Sequence, residues 1–114
     1  MAKIRITAGG VTQTATLNGS LTAGKLLGIL PVKANAKRWG EEVYFDVPLQ
    51  MSPETPQARV PSGTVAYWPE GPALCIFFGQ TPCSPVNVVG KLDGEPERFT
   101  AVRDGEDVRV EREA

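Results

Sequence analysis

An all-β fold, a small barrel or sandwich plugged by one or two short helices, follows from three features of the sequence. Seven or eight short segments read as strands, most of them alternating apolar and polar residues with a period of two. Turn signals built on Gly, Pro, Asn and Asp separate them about every 8–12 residues. Only two short segments, near residues 20–30 and 95–102, carry a helical signal. The chain has 114 residues, the length of one domain, and no linker or repeat divides it.

Segment 3–7, KIRIT, places Ile4 and Ile6 on one face and Lys3, Arg5 and Thr7 on the other. Gly9-Gly10 turns the chain as a hairpin. Segment 11–17 returns, with Val11, Ala15 and Leu17 facing one way and Thr12, Thr14 and Thr16 the other. Ser20 or Thr22 then caps a helix whose Ala23, Leu26, Leu27 and Leu30 share a face, and Pro31 stops it. Residues 32–40 are expected to form a loop. Segment 41–47 alternates again, with Val43, Phe45 and Val47 opposite Glu42, Tyr44 and Asp46. The four prolines of residues 48–63 predict a long loop, with a short edge strand near 57–60.

Residues 64–68 and 74–78 are the next strands. In the second, Leu74, Ile76 and Phe78 share one face and Cys75 and Phe77 the other. Neither face has a polar side chain, so both must be covered, one by the barrel core and the other by a helix or loop. Segment 86–92 alternates weakly. Pro96 opens a short helix over the residues that follow, and Val108 and Val110 mark the last strand, 107–112.

Composition narrows the function. Twelve basic and thirteen acidic residues leave a net charge of −1, with Lys37-Arg38 the only adjacent basic pair, which disfavours a nucleic-acid partner. No apolar run is long enough for a membrane helix, and the N-terminus lacks the apolar core of a signal peptide, so the expected location is the cytoplasm. There is no histidine, which removes Ser-His and Cys-His nucleophile pairs and the commonest transition-metal ligand. Cys75 and Cys83 match no zinc pattern. In a reducing compartment both are expected as thiols, although their spacing leaves a bridge across the turn open. No metal or cofactor is expected.

Three words, WGEEVYFDVP, VAYWPEGPALCIFFGQTP and VNVVGKL, resemble the small prokaryotic cyclophilin-like proteins, a family without a firmly assigned function. The resemblance runs from KIRIT to VRVE. It implies a closed eight-stranded barrel with a helix at each end. The wider superfamily includes peptidyl-prolyl isomerases, whose Phe-His-Arg and Gln-Gly-Gly-Asp words are missing here. Only Phe77-Phe78 resembles an isomerase strand, and Arg38 lies close in sequence to the region where the isomerase arginine would stand.

The resemblance and the residues together single out Arg38, Trp39, Glu41, Glu42, Tyr67, Phe78 and Gln80 for a site binding a peptide segment or a small molecule. Glu41 and Glu42 are adjacent in a strand reading, so they face opposite ways and are not a paired acid and base. Alternation puts Glu41 on the face of Val43 and Phe45, as a ligand acceptor or a partner for backbone N–H groups. Glu42 is then solvated or on a polar pocket wall. Of Tyr67 and Trp68 at most one points inward, and an aromatic in a small barrel is ordinarily core. Gln80, Thr81 and Asn87 read as turn caps or as ligand hydrogen-bonding groups. Cys75, mid-strand with no base beside it, is expected to be inert. The alternatives to a binding module are, in order, a prolyl isomerase using other residues and an enzyme of another class using Glu41 or Glu42 as a base. A monomer or weak homodimer is expected.

Overall fold

The computed structural model describes residues 2–79 and 84–113. Nine strands form one antiparallel sheet: β1 (Lys3–Ala8), β2 (Val11–Leu17), β3 (Val32–Asn35), β4 (Lys37–Trp39), β5 (Glu42–Asp46), β6 (Thr64–Trp68), β7 (Ala73–Phe77), β8 (Asn87–Leu92) and β9 (Asp107–Arg112). Their order is β3-β9-β1-β2-β8-β6-β7-β5-β4. A helix, α1 (Leu21–Ile29), and a 3-10 turn, Pro96–Ala101, complete the fold.

The two strands at the ends of that order, β3 and β4, are separated by one residue, Ala36. Its N–H donates to the Glu106 carbonyl at 2.8 Å, and its carbonyl accepts from Gly105 N at 2.7 Å. The chain therefore passes from one edge of the sheet directly to the other, and the barrel is nearly closed. Eight strands are expected and nine are found. Counted as one strand bent at Ala36, β3 and β4 restore the expected eight. Residues 32–40 are thus strand and not loop. Their alternation is present but faint, because two of the inward positions are Ala34 and Ala36, and pairing with β9 and β5 supplies the order. Near 57–60 there is no strand, only a single bridge between Gln57 and Val86.

The hairpins follow from their turn residues. Gly9 and Gly40 both have positive φ, at 56° and 58°, in two-residue turns between β1 and β2 and between β4 and β5. At Gly90 the reason is space: a Cβ there would sit 2.5 Å from the Thr16 carbonyl, where β2 and β8 approach.

The inward faces of β1, β2, β5 to β9 and α1 bury one core, with Ile4, Ile6, Phe45, Leu74, Ile76 and Phe99 among its largest members. Ser20 caps α1 by accepting from Ala23 N at 3.1 Å. Helix α1 buries Ala23 and Leu26 in that core, and the 3-10 turn inserts Phe99. A second, smaller apolar cluster lies on the outer side of the sheet. It contains Val60, Ala66, Cys75, Phe77 and Val86, flanked by Tyr44, Trp68 and Val88. The two faces of β7 are divided between the clusters as alternation requires. The outer cluster is the part of the fold that positions the candidate site.

Candidate ligand-binding pocket

Strand register collects the outward residues. Glu42 lies opposite Trp39 on β4 and Phe77 on β7, and Tyr44 lies opposite Cys75. Cys75 in turn faces Ala66 on β6, and Trp68 is two residues further along that strand. Because side chains alternate, Trp39, Glu42, Tyr44, Cys75 and Trp68 all stand on the outer face of the wall. Beside them opens a pocket of about 260 Å³, closed on one side by Ser84 and Val86. Tyr44 and Trp68 meet edge to face, ring centroids 6.5 Å apart and planes at 88°. Trp39 is 47% exposed at the mouth.

Among the described residues, Glu42 is the only acidic residue on this wall that is buried, at 7% exposure. Burial pushes its carboxyl above the ordinary value of 4.5, and the Cys75 thiol, by hydrogen-bonding to it, partly offsets that rise. The thiol is itself pushed well up, first by burial and then by the nearby Glu42 charge and their hydrogen bond. Cys75 is a free cysteine that stays protonated and donates to Glu42. That makes it a poor nucleophile. Among the described residues no ion pair reaches Glu42. The indole Nε1 of Trp68 is also buried without an acceptor among the described residues. Two under-satisfied polar groups therefore belong to residues lining one aromatic-walled pocket.

The other residues singled out by the sequence lie elsewhere. Arg38 faces the opposite way from Trp39. Its Nε donates to the Gly40 carbonyl at 3.0 Å, and its Nη1 to the Thr100 and Val102 carbonyls at 3.0 and 2.8 Å. The guanidinium stacks over the Phe78 ring, 4.9 Å from its centroid. Phe78 belongs to the barrel core. Tyr67 is fully buried there too, its hydroxyl donating to the Leu49 carbonyl and accepting from Met51 N at 3.1 Å. Glu41 occupies the two-residue turn with Gly40, so strand alternation does not govern it. It is exposed, its carboxylate lying against Gly79. Asn87 is buried and accepts from Glu54 N while donating to Thr22 Oγ1 and the Ser52 carbonyl. Gln80, Thr81 and Cys83 lie outside the described residues.

Sequence reasoning thus places Trp39 and Glu42 in the candidate site and misses Tyr44, Cys75, Trp68 and Ser84 as its companions. Tyr44 was legible, since alternation puts it beside Glu42. The approach of Ser84 and Val86 depends on a loop path that no local pattern encodes. Among the described residues no group of three His, Cys, Asp or Glu could hold a metal ion, and no helix is long and apolar enough to cross a membrane.

The nearly closed barrel with its α1 and 3-10 plugs defines a class of protein, and the sequence agrees with it. The chain belongs to the cyclophilin-like family, whose profile matches residues 2–111. A hypothetical protein of Archaeoglobus fulgidus is 33% identical to it, over 98% of this chain and 95% of its own, with a TM-score of 0.84. McbB, solved in complex with tryptophan, shares the fold at 19% identity and a TM-score of 0.72. That match covers 97% of this chain but 45% of McbB, so this chain spans under half of McbB's length. No curated protein matches the sequence.

Proposed function

We propose that this barrel is a binding module for a small molecule, held in the outer-wall pocket between Trp39, Glu42, Tyr44 and Trp68. The observation that carries the reading is the buried Glu42 carboxyl, partnered among the described residues by a weak thiol donor, on an otherwise apolar and aromatic wall. A few polar groups set in an apolar concavity are the ordinary form of a small-molecule site. A carboxyl left short of partners in such a place costs stability, and a ligand donor would offset that cost. The pocket, about 260 Å³, suits one compact ring-bearing molecule better than an extended peptide. McbB, which shares the fold, was solved with tryptophan, a molecule of that size class. The isomerase reading lacks comparable support, because the Arg38 Nε and Nη1 groups are engaged by three backbone carbonyls.

A fragment screen followed by NMR tests this. The expected hits move the indole N–H signals of Trp39 and Trp68 and the amides of β5 and β7. No hits, or hits confined to the separate groove lined by Lys33, Glu106 and Arg109, would remove this pocket as the binding site.

A further inference from the structure

We propose that the pocket selects organic cations, with a primary ammonium on the Glu42 carboxylate and a small flat apolar body against Trp39, Tyr44 and Trp68. This rests on the small-molecule reading above and gives it a ligand class.

Charge is the first argument. Glu42 is buried to 93%, from 7% exposure, and its hydrogen-bond partner is a weak S–H donor. No basic side chain lines the pocket among the described residues. An anion would meet an uncompensated carboxylate there, and a neutral donor would leave its charge in place. An ammonium supplies both the missing charge and up to three N–H donors.

The walls are the second argument. Aromatic faces carry negative potential and attract cations, most strongly when water is partly excluded. Tyr44 already shows this at the outer rim, where Lys37 Nζ lies 5.9 Å from its ring centroid, held from behind by Asp46 at 3.3 Å. Three such rings lining one pocket with a carboxylate beside them favour a cation at that carboxylate.

Proton linkage follows. The titratable groups facing Glu42 are Cys75 from β7 and Tyr44 from its own strand, with Lys37 and Asp46 at the rim. Trp39 on β4, and Ser84 and Val86 on the covering side, carry no titratable charge. A cation binds the ionised carboxylate, so its affinity falls as the pH drops through the Glu42 titration, which lies above 4.5. An alkylammonium stays charged throughout, its own pKa being about 10.

The chain has two tryptophans, and both line this pocket, so intrinsic fluorescence reports on it directly. Three probes of one shape separate the possibilities: 2-phenylethylamine, the neutral 2-phenylethanol and the anionic phenylacetate. At pH 8 the amine is expected to bind at least about tenfold more tightly than the alcohol, the usual worth of a charge-assisted hydrogen bond, with phenylacetate weakest. In Glu42→Gln the amine should lose its advantage and bind no more tightly than the alcohol. The wild-type ratio and its pH dependence need no variant and stand if that one fails to fold. Preference for the alcohol or phenylacetate would overturn cation selection and leave the small-molecule pocket intact. An amine preference that persists in Glu42→Gln, or that does not weaken at low pH, would also overturn it. No response to any of the three would count against both readings.

Discussion

Glu42 and Tyr67 lie on opposite faces of the same wall and contribute to stability with opposite sign. Tyr67 is buried with its hydroxyl doubly bonded, donating to Leu49 and accepting from Met51, so it anchors the start of the long loop at little polar cost. Glu42 is buried with incomplete compensation, and its carboxyl titrates above the ordinary value for that reason. Below about 4.5 the group is protonated in both folded and unfolded chains, and nothing is lost. Above its raised folded value the unfolded chain carries a solvated charge and the folded chain a buried one, so the native state is disfavoured. Glu42→Gln is therefore expected to stabilise the protein by about 1–3 kcal/mol near pH 8 and by little near pH 4. Urea unfolding at the two pH values measures this. A loss of stability at pH 8 would mean that Glu42 is compensated in the folded chain. A site residue that costs stability is a common mark of function, and the cation proposal supplies the missing partner.

At the scale of elements, the junction of α1, the 48–63 loop and β8 is built from polar residues with satisfied bonds. The Glu54 carboxylate accepts from the Thr22 hydroxyl and from the backbone N–H groups of Thr22 and Leu21, at the positive end of the helix. These bonds, the Thr22 hydroxyl first, hold the Glu54 carboxyl below its ordinary 4.5. Asn87 completes the junction by bridging Thr22, Ser52 and Glu54. A residue on the strand thus ties down a loop that has almost no ladder of its own. Asn87→Ala removes three bonds and leaves the buried Thr22 hydroxyl and the Glu54 N–H one partner short. It should cost about 2 kcal/mol and raise amide exchange in residues 50–58 ahead of the barrel strands. Exchange that rises uniformly would show that the junction is not a separate unit. This tie was half legible. Ser20 and Thr22 announce the helix start, and Asn87 reads as a polar residue in a turn. The partner that reaches the helix from 32 residues away, Glu54, has no local signal at all.

For the molecule as a whole, closure depends on the residue that joins β3 to β4. Ala36 is inward and buried, and its N–H and carbonyl bond the turn before β9. A proline there deletes the N–H bond and restricts the backbone of Asn35 before it. Ala36→Pro is expected to cost about 3 kcal/mol or more and to loosen β3 and β4 together, read as a lower urea midpoint and faster exchange in both strands. A cost under about 1 kcal/mol would show that the two strands hold their edges independently.

Periodicity and turn residues determined most of the barrel: the faces of β1, β2 and β5, the two-sided burial of β7, a helix start at Ser20 or Thr22 and the glycine hairpin at Gly9-Gly10. These are local consequences of sterics and of which face must leave water. They determined less where the inward residues are small, as at Ala34 and Ala36, or where a turn suspends alternation, as at Glu41. Only the tertiary structure decided that Arg38 braces the 3-10 turn while Trp39 opens a pocket, and that Glu42, Cys75 and Trp68 meet on one outer wall. Strand register and loop path bring these residues together across gaps of up to 64 positions, from Arg38 to Val102. No window of sequence contains that proximity, because it is set by which strands pair and not by what any one strand prefers.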